Sequence, residues 1–423
     1  MSEHLKLRTA LDKPSRPLAG EFLTTVLVEL TPSRRLKRLP LNLGLLLDVS
    51  ESMGGEKLKV AADACRLVIE RLAPGDLVSL VTFGSRAEVL LRAQPAGAET
   101  LRAAIAALSR LRAEGVTQLL RGLDAVMLEV RRHAGSQRTS FVVLLSDGYP
   151  TTTQGYVDDQ PEPYLMRVDR EMRDRGIGLT AFGLGDAANY DAAFLRRLAD
   201  KGNGQFLYCS AADELGPLFE REFQRIARTV LGEVALTVRH LEGTLRRLWR
   251  VFPDKKLFDS TAVDDGVFEV PIGSLQDEQP QAFLLDIVTR ARPEDGPGRR
   301  RMLEVTAQWQ ADGVPQTASA PVVLEWTADP RALAERNPEV VRLATECLDA
   351  WLEDQLEEAV RSGDRATQTS VLVRKKELTM RLGKAEATRV LEEMEEALAR
   401  GESITPDALA RSSQHTKPTQ RLG

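Results

Sequence analysis

The stretch Leu43-Gly44-Leu45-Leu46-Leu47-Asp48-Val49-Ser50-Glu51-Ser52 decides how the rest of this chain is interpreted. An apolar run that ends in polar residues is typical of a buried strand followed by a turn. The turn brings together one carboxylate, of Asp48, and two hydroxyls, of Ser50 and Ser52. Hard oxygen groups at the carboxyl end of a parallel strand suit a divalent cation such as Mg²⁺. The stretch therefore predicts one part of a metal-binding site.

Two more oxygen ligands follow downstream. Thr117 lies in a loop immediately before a helical pattern, and Asp147 lies in a turn that follows a strand-like apolar run. Because the carboxyl ends of parallel strands meet at one edge of a sheet, three such loops can converge on a point. Turn and cap preferences explain any single one of these residues, but do not easily explain all of them together. The predicted ligand set is Asp48, Ser50, Ser52, Thr117 and Asp147.

Short apolar runs alternate with amphipathic helical segments from about residue 40 to residue 230. This alternation predicts an α/β domain with a doubly wound, Rossmann-like parallel sheet that helices cover on both faces. The helical segments have apolar residues at helical spacing between residues 58 and 72, 119 and 130, and 194 and 198. The strand-like runs are Leu41–Leu47, Leu77–Phe83, Ala87–Leu91, Ser140–Leu145, Ile177–Leu184 and Gln205–Tyr208.

The motifs, taken in order, resemble the von Willebrand factor A domain with its metal-ion-dependent adhesion site. That family has D-x-S-x-S in one loop, a Thr in a second and an Asp in a third, and this chain matches every position. The resemblance implies that Ser50, Ser52 and Thr117 offer hydroxyl oxygens to Mg²⁺, or to Mn²⁺ or Ca²⁺. It also implies that Asp48 and Asp147 act directly or through water. A carboxylate from an Asp or Glu of a partner protein would then complete the coordination sphere.

Glu51 departs from the pattern, because many family members have Gly at this position. We expect its side chain to point into solvent. The alternative is that it crowds the site or competes as an internal carboxylate, which would change metal affinity and partner choice but not the fold.

The segments that flank the α/β domain have a different sequence pattern. Short β-branched runs separated by Gly, Pro and Asp predict a β-sandwich, and the strand Glu21–Leu30 needs a sheet to join. We therefore predict that the α/β domain is inserted into the sandwich. Beyond Pro338 an apolar stripe at helical spacing predicts helices, with breaks at Gly363 and Gly383. The predicted units are an N-terminal strand (1–38), the A-type domain (39–230), the sandwich (231–330), a helical bundle or hairpin (331–400) and a disordered tail (401–423).

Composition excludes several classes of function. The chain has 423 residues, 43% of them hydrophobic and 28% charged, which is ordinary for a globular protein of two or three domains. A net charge of −5 provides no basic field for nucleic acid or an anionic membrane. Three cysteines far apart favour neither a disulfide framework nor a zinc site. With no apolar leader pattern, we expect a cytoplasmic protein. The family resemblance implies a bacterial one.

Catalysis is not expected. The four histidines lie outside the strand-end loops, and no phosphate-binding G-x-x-x-x-G-K-[ST] motif is present. An aspartyl phosphotransferase would need an acid two residues after Asp48, where this chain has Ser50. The favoured function is a Mg²⁺-dependent protein-interaction module that acts as an adaptor in an intracellular assembly.

Three alternatives stay open. The resemblance makes a regulatory subunit of an AAA+ ATPase complex, of the MoxR or chelatase type, one of them. A structural scaffold with an unused metal site is the second. Third, the polar tail contains Thr416 and Thr419, and a phosphorylated threonine there would suit the Arg-lined pocket of a forkhead-associated domain. An unstructured, solubilising tail is the plainer interpretation of the same residues.

Overall fold

The structure is a computed structural model, and the residues that it describes have several short gaps. They are 4–33, 36–135, 137–147, 149–185, 192–209, 212–253, 255–258, 262–264, 266–277, 279–311, 314–405, 408–409 and 411–412. Thr416 and Thr419 lie outside the described residues.

Three strands precede the α/β domain within the described chain: β1 (Leu5–Leu11), β2 (Ser15–Arg16) and β3 (Gly20–Pro32). The α/β domain then follows with strands and helices in alternation. Its strands are β4 (Leu41–Asp48), β5 (Leu77–Phe83), β6 (Ala87–Pro95), β7 (Thr139–Ser146), β8 (Gly178–Leu184) and β9 (Asn203–Cys209). Its helices are α1 (Glu56–Arg71), α2 (Ala98–Leu108), α3 (Leu119–Arg131), α4 (Glu162–Arg175), α5 (Ala192–Lys201) and α6 (Ala212–Ala227).

The sheet of this domain has the strand order β6-β5-β4-β7-β8-β9. Strand β4 lies centrally, parallel to both β5 and β7, and every one of its residues is buried. Two hydrophobic clusters, one on each face, join the sheet to the helices. This confirms the prediction of an α/β domain whose helices cover both faces.

The prediction of an all-parallel sheet is wrong at one edge, because β6 runs antiparallel to β5. Only Gly84-Ser85-Arg86 separates the two strands. A connection this short joins antiparallel neighbours, since a parallel pair needs a crossover of a dozen residues or more. The sheet is therefore mixed.

Two further sheets are built from the N-terminal strands and from strands that follow α6. The later strands are β10 (Thr229–His240), β11 (Gly243–Phe252), β12 (Lys256–Phe258), β13 (Ala262–Asp264), β14 (Val267–Gln276), β15 (Gln281–Ala291), β16 (Gly298–Ala311) and β17 (Val314–Trp326). The strand orders are β1-β3-β15-β11-β12 and β13-β14-β10-β16-β17-β2. Strand β3 pairs with β15 along its length, so the early and late parts of the chain share a sheet.

The C-terminal region is helical, as predicted, with α7 (Pro330–Ala334), α8 (Pro338–Ser362), α9 (Arg365–Arg381) and α10 (Ala385–Ala399). Side chains cap three of the N-termini: Asp329 accepts a hydrogen bond from Arg331 N in α7, Asn337 accepts from the first turn of α8, and Asp364 accepts from Thr367 N in α9. Gly363 ends α8 in the left-handed conformation, with φ of 71°, which accounts for the predicted break. No helix among the described residues combines the length and apolar character needed to cross a membrane.

The prediction of disorder from residue 401 is wrong for the start of that segment. Ile404 and Ala408 are buried in the hydrophobic cluster of α8, α9 and α10. Ser412 is also buried, and its hydroxyl donates a hydrogen bond to Glu353 over 2.8 Å. Apolar residues four apart, together with a buried carboxylate in need of a donor, order this part of the chain.

An ionic cluster, in which Asp349, Glu353 and Lys375 are fully buried, joins the C-terminal helices. Lys375 of α9 donates to Asp349 of α8 over 2.6 Å and lies 3.0 Å from Glu353. Lys384, before α10, donates to the second carboxylate oxygen of Asp349 over 2.7 Å. Although burial opposes ionisation, these ammonium groups lower the pKa of Asp349. Burial raises the pKa of Glu353, which its partners only partly offset.

Replacing Lys375 by Met is expected to lower the free energy of unfolding by about 3–5 kcal/mol, because a buried pair loses one partner. Buried Glu353 and Asp349 would both lose the ammonium of Lys375, while Lys384 would still contact Asp349. Urea unfolding followed by far-UV circular dichroism measures the change. Lys376→Met is the matched control, since its neighbouring, partly exposed ammonium pairs with Glu395. An equal loss in both variants would contradict the assigned role of the cluster.

Candidate metal centre

Asp48 is the last residue of β4 and is fully buried. Its Oδ1 accepts a hydrogen bond from the backbone N–H of Ser50 over 2.8 Å. Its Oδ2 accepts one from the hydroxyl of Ser146, at the end of β7, over 2.6 Å. The parallel pairing of β4 with β7 brings these two strand ends together. Ser146 is a residue of the candidate site that the sequence did not predict, because a single Ser beside a motif carries no signal of its own.

The two serines of the motif connect Asp48 to Asp147. A short 3₁₀ turn, Glu51–Met53, follows Ser50 and brings the Ser50 and Ser52 hydroxyl oxygens within 3.1 Å of each other. Ser52 donates to Asp147 Oδ1 over 2.7 Å. Asp147 is buried, whereas Ser52 is exposed at the surface. Four of the five predicted residues thus form one continuous group.

Backbone hydrogen bonds place the loop of Thr117 beside this group. The N–H of Glu51 donates to Gly115 O over 3.0 Å, which ties the first loop to the second. Thr151 ties the second loop to the third: its hydroxyl accepts from Thr117 N over 2.8 Å, and its own N–H donates to Thr117 O over 2.9 Å. Thr117 itself is buried. The three predicted loops therefore converge at the carboxyl edge of the sheet.

The side chain of Glu51 is exposed. This confirms the expectation that it points into solvent rather than into the site. Its backbone N–H is used in the contact with Gly115, so the residue has a structural role that any amino acid with an N–H can fill.

The charges of the site are set by burial. Burial is the main cause that raises the pKa of Asp48 to about 6; hydrogen bonds from Ser146 and Ser50 oppose this rise, and the nearby charge of Asp147 adds to it. Two carboxylates and three neutral hydroxyls are hard oxygen donors that fit a divalent cation and do not over-neutralise it. Among the described residues no group of three or more His, Cys, Asp or Glu side chains offers a metal site. The candidate centre therefore depends on hydroxyl ligands.

Lys57 is a second residue that the sequence reasoning missed. Its ammonium lies 2.5 Å from Asp147 Oδ2 and 3.3 Å from the backbone oxygen of Ser52. A lysine five residues after the last motif serine normally reads as a solvated helix residue. Only the converging loops show that this one contacts a candidate ligand.

Residues 42–221 match the family model described as the von Willebrand factor type A domain. This part of the chain is a von Willebrand factor type A domain. Similar curated proteins match over part of their lengths. An uncharacterized protein of Synechocystis is 30% identical over 258 residues, 59% of this chain and 58% of that protein. The uncharacterized protein YfbK of Escherichia coli is 27% identical over 208 residues, 48% of this chain and 35% of its own length.

A more distant match is the inter-alpha-trypsin inhibitor heavy chain H1 of Bos taurus, which is 27% identical over 215 residues. That match covers 48% of this chain and 22% of the bovine protein. The chain therefore spans between about a fifth and three fifths of the lengths of these relatives.

Two solved structures share the fold along nearly the whole chain. A von Willebrand factor type A protein from Catenulispora acidiphila has a TM-score of 0.80 at 18% identity, covering 99% of this chain and 98% of that one. The ArnB paralog VWA2 from Sulfolobus acidocaldarius has a TM-score of 0.59 at 15% identity, with 98% of each chain covered. At these identities the similarity is one of fold. It extends beyond the A-type domain to the antiparallel sheets and the C-terminal helices.

Replacing Ser146 by Ala is expected to lower the free energy of unfolding by about 1–3 kcal/mol, because buried Asp48 loses a hydrogen-bond donor. Ser79→Ala on β5 is the matched control, since the Ser79 hydroxyl is buried and has no hydrogen-bond partner among the described residues. The control should leave stability close to that of the wild type. Chemical unfolding of both variants in chelator measures the difference, and equal effects would show that Ser146 does not support Asp48.

Proposed function

We propose that the A-type domain is a recognition module that docks a protein partner through a divalent cation, Mg²⁺ in the first instance. Asp48, Ser50, Ser52, Thr117 and Asp147 hold the ion directly or through water. An Asp or Glu carboxylate of the partner completes the coordination sphere. The domain binds rather than catalyses, and the cation joins the two proteins.

The burial of two carboxylates at one sheet edge is the observation that carries this proposal. Asp48 and Asp147 are both withdrawn from water, and Ser52 joins Asp147 to the first loop. Two like charges in such a position are costly unless a cation compensates them. The Lys57 ammonium contacts only Asp147 of the two, so a bound dication would compensate both carboxylates at once, and the serine hydroxyls would supply neutral ligands.

The shape of the site favours a partner as the remaining ligand. Ser52 is exposed although Asp48, Ser50 and Asp147 are buried, so the ligand group opens towards solvent on the side of Ser52. Mg²⁺ keeps several positions for water or an incoming oxygen ligand when a protein provides few charged groups. A carboxylate is the ligand that adds a charge-assisted contact at such a position.

The proposal includes the rest of the chain as a support. Leu39 N donates to Thr229 O over 2.8 Å, so the two ends of the A-type domain lie side by side. Residues of both sheets outside the A-type domain contribute to one hydrophobic cluster, as expected for a sandwich that carries the A-type domain as an insertion. The C-terminal helices provide a second surface for docking or oligomerisation. An AAA+ ATPase or a forkhead-associated domain as partner, and a cytoplasmic location, stay predictions.

Calorimetric titration with MgCl₂ and MnCl₂ tests the metal site directly. The wild type is expected to bind one ion, and Asp48→Asn to bind it more weakly by roughly ten-fold or more, because a neutral amide replaces a charged ligand. Asp63→Asn is the matched control, since it removes the same charge from an exposed position on α1. Equal affinities in all three proteins would contradict the assigned site.

Affinity capture from lysate of the natural host tests the docking role. Wild type, Asp48→Asn and Asp63→Asn are compared in Mg²⁺ and in chelator. We expect a partner that wild type and Asp63→Asn retain in Mg²⁺, and that is lost in chelator or with Asp48→Asn. Partners that are unchanged across all conditions would leave the site as part of a scaffold and would exclude metal-dependent docking.

A further inference from the structure

We propose that Lys57 is a built-in counter-cation of the metal centre, which a divalent cation must displace from Asp147. Lys57 thereby sets the metal concentration at which the site becomes competent to bind a partner. This inference rests on the proposed function, because it concerns the regulation of the same site.

The contacts of Asp147 support this role. Its Oδ1 accepts from the Ser52 hydroxyl over 2.7 Å, and its Oδ2 lies 2.5 Å from the Lys57 ammonium. Both carboxylate oxygens therefore have donors within the protein itself. The same ammonium also donates to Ser52 O, so Lys57 contacts two residues of the predicted ligand set.

The position of Lys57 in its helix also supports this role. It is the second residue of α1, where the helix dipole disfavours a positive charge. A positive charge at this unfavourable position needs a compensating contact elsewhere, and the buried carboxylate of Asp147 provides it.

The surrounding chain leaves room for this lysine. Gly185, in the loop after β8, has φ of 92°, a conformation that suits glycine. A Cβ atom there would lie 3.2 Å from Lys57 Cε and 3.4 Å from Nζ. The absence of a side chain at Gly185 thus leaves space for the Lys57 side chain at the edge of the site.

Lys57 and a metal ion compete for Asp147 because both are positively charged. A dication held by Asp147, and an ammonium in contact with the same carboxylate, repel each other across a few ångströms. Binding of the metal therefore includes the work of moving Lys57 away. In the metal-free protein, the same ion pair compensates a carboxylate that would otherwise be buried alone. Lys57 stabilises the empty site and weakens metal binding through one contact.

Titration of the full chain with Mn²⁺ and with Mg²⁺, together with thermal unfolding in chelator, tests the inference on Lys57→Met. Lys59→Met is the matched control, because it removes the same charge from an exposed position two residues further along α1. Lys57→Met should bind Mn²⁺ more tightly than the wild type, by roughly ten-fold or more. The reason is that the repulsion energy between charges this close exceeds the free energy that corresponds to a ten-fold change in affinity. Its melting temperature should fall in chelator and recover at saturating metal. Lys59→Met should match the wild type in both measurements.

The double variant Lys57→Met/Asp147→Asn separates competition from a general loss of fold. Removing the carboxylate together with its counter-cation should restore the melting temperature in chelator and abolish the gain in metal affinity. Unchanged or weaker metal binding by Lys57→Met, or equal effects of Lys57→Met and Lys59→Met, would overturn the inference. Metal binding by Lys57→Met but not by the wild type would support competition between Lys57 and the metal ion for Asp147. It would also contradict the proposed function of the wild-type site.

Discussion

The carboxylates of Asp48 and Asp147 lie out of water at the ends of two adjacent parallel strands, and their charge has to be compensated there. This constraint organises the carboxyl edge of the sheet. Ser146 and the Ser50 N–H donate to Asp48, whereas Ser52 and Lys57 donate to Asp147. The fold therefore already positions these side chains. A metal would replace some of their existing contacts and would not need to order them.

The central position of β4 makes this arrangement possible. Because β4 is hydrogen-bonded on both sides and buried on both faces, its carboxyl end is held by the whole A-type domain. The loops that bring Thr117 and Thr151 to the site are joined to it by backbone hydrogen bonds. Flexible side chains alone do not set the geometry. Outside the A-type domain, β3 pairs with β15, so strands that precede and follow the domain share a sheet.

Much of the fold is readable in the sequence because strands buried on both faces are nearly continuous apolar runs, as in Leu41–Leu47 and Ser140–Leu145. Strand β11 was not predicted, since Arg246, Arg247 and Arg250 interrupt its apolar pattern. One of these, Arg250, is buried all the same. Helices α2, α4 and α6 were not predicted either, and the buried residues Ile404, Ala408 and Ser412 were predicted to lie in a disordered tail. In each case tertiary contacts outweigh a weak local pattern.

The sequence by itself determined the α/β domain and the predicted ligands Asp48, Ser50, Ser52, Thr117 and Asp147, because turn and cap preferences rarely place so many oxygen-bearing residues directly after buried strands. Only the tertiary structure decided that Glu51 faces solvent, that β6 reverses direction, and that Ser146, Thr151 and Lys57 belong to the site. The physical reason is distance along the chain. A motif records neighbours in sequence, whereas the partner of a buried charge is chosen by the loops and strands that the fold brings to it.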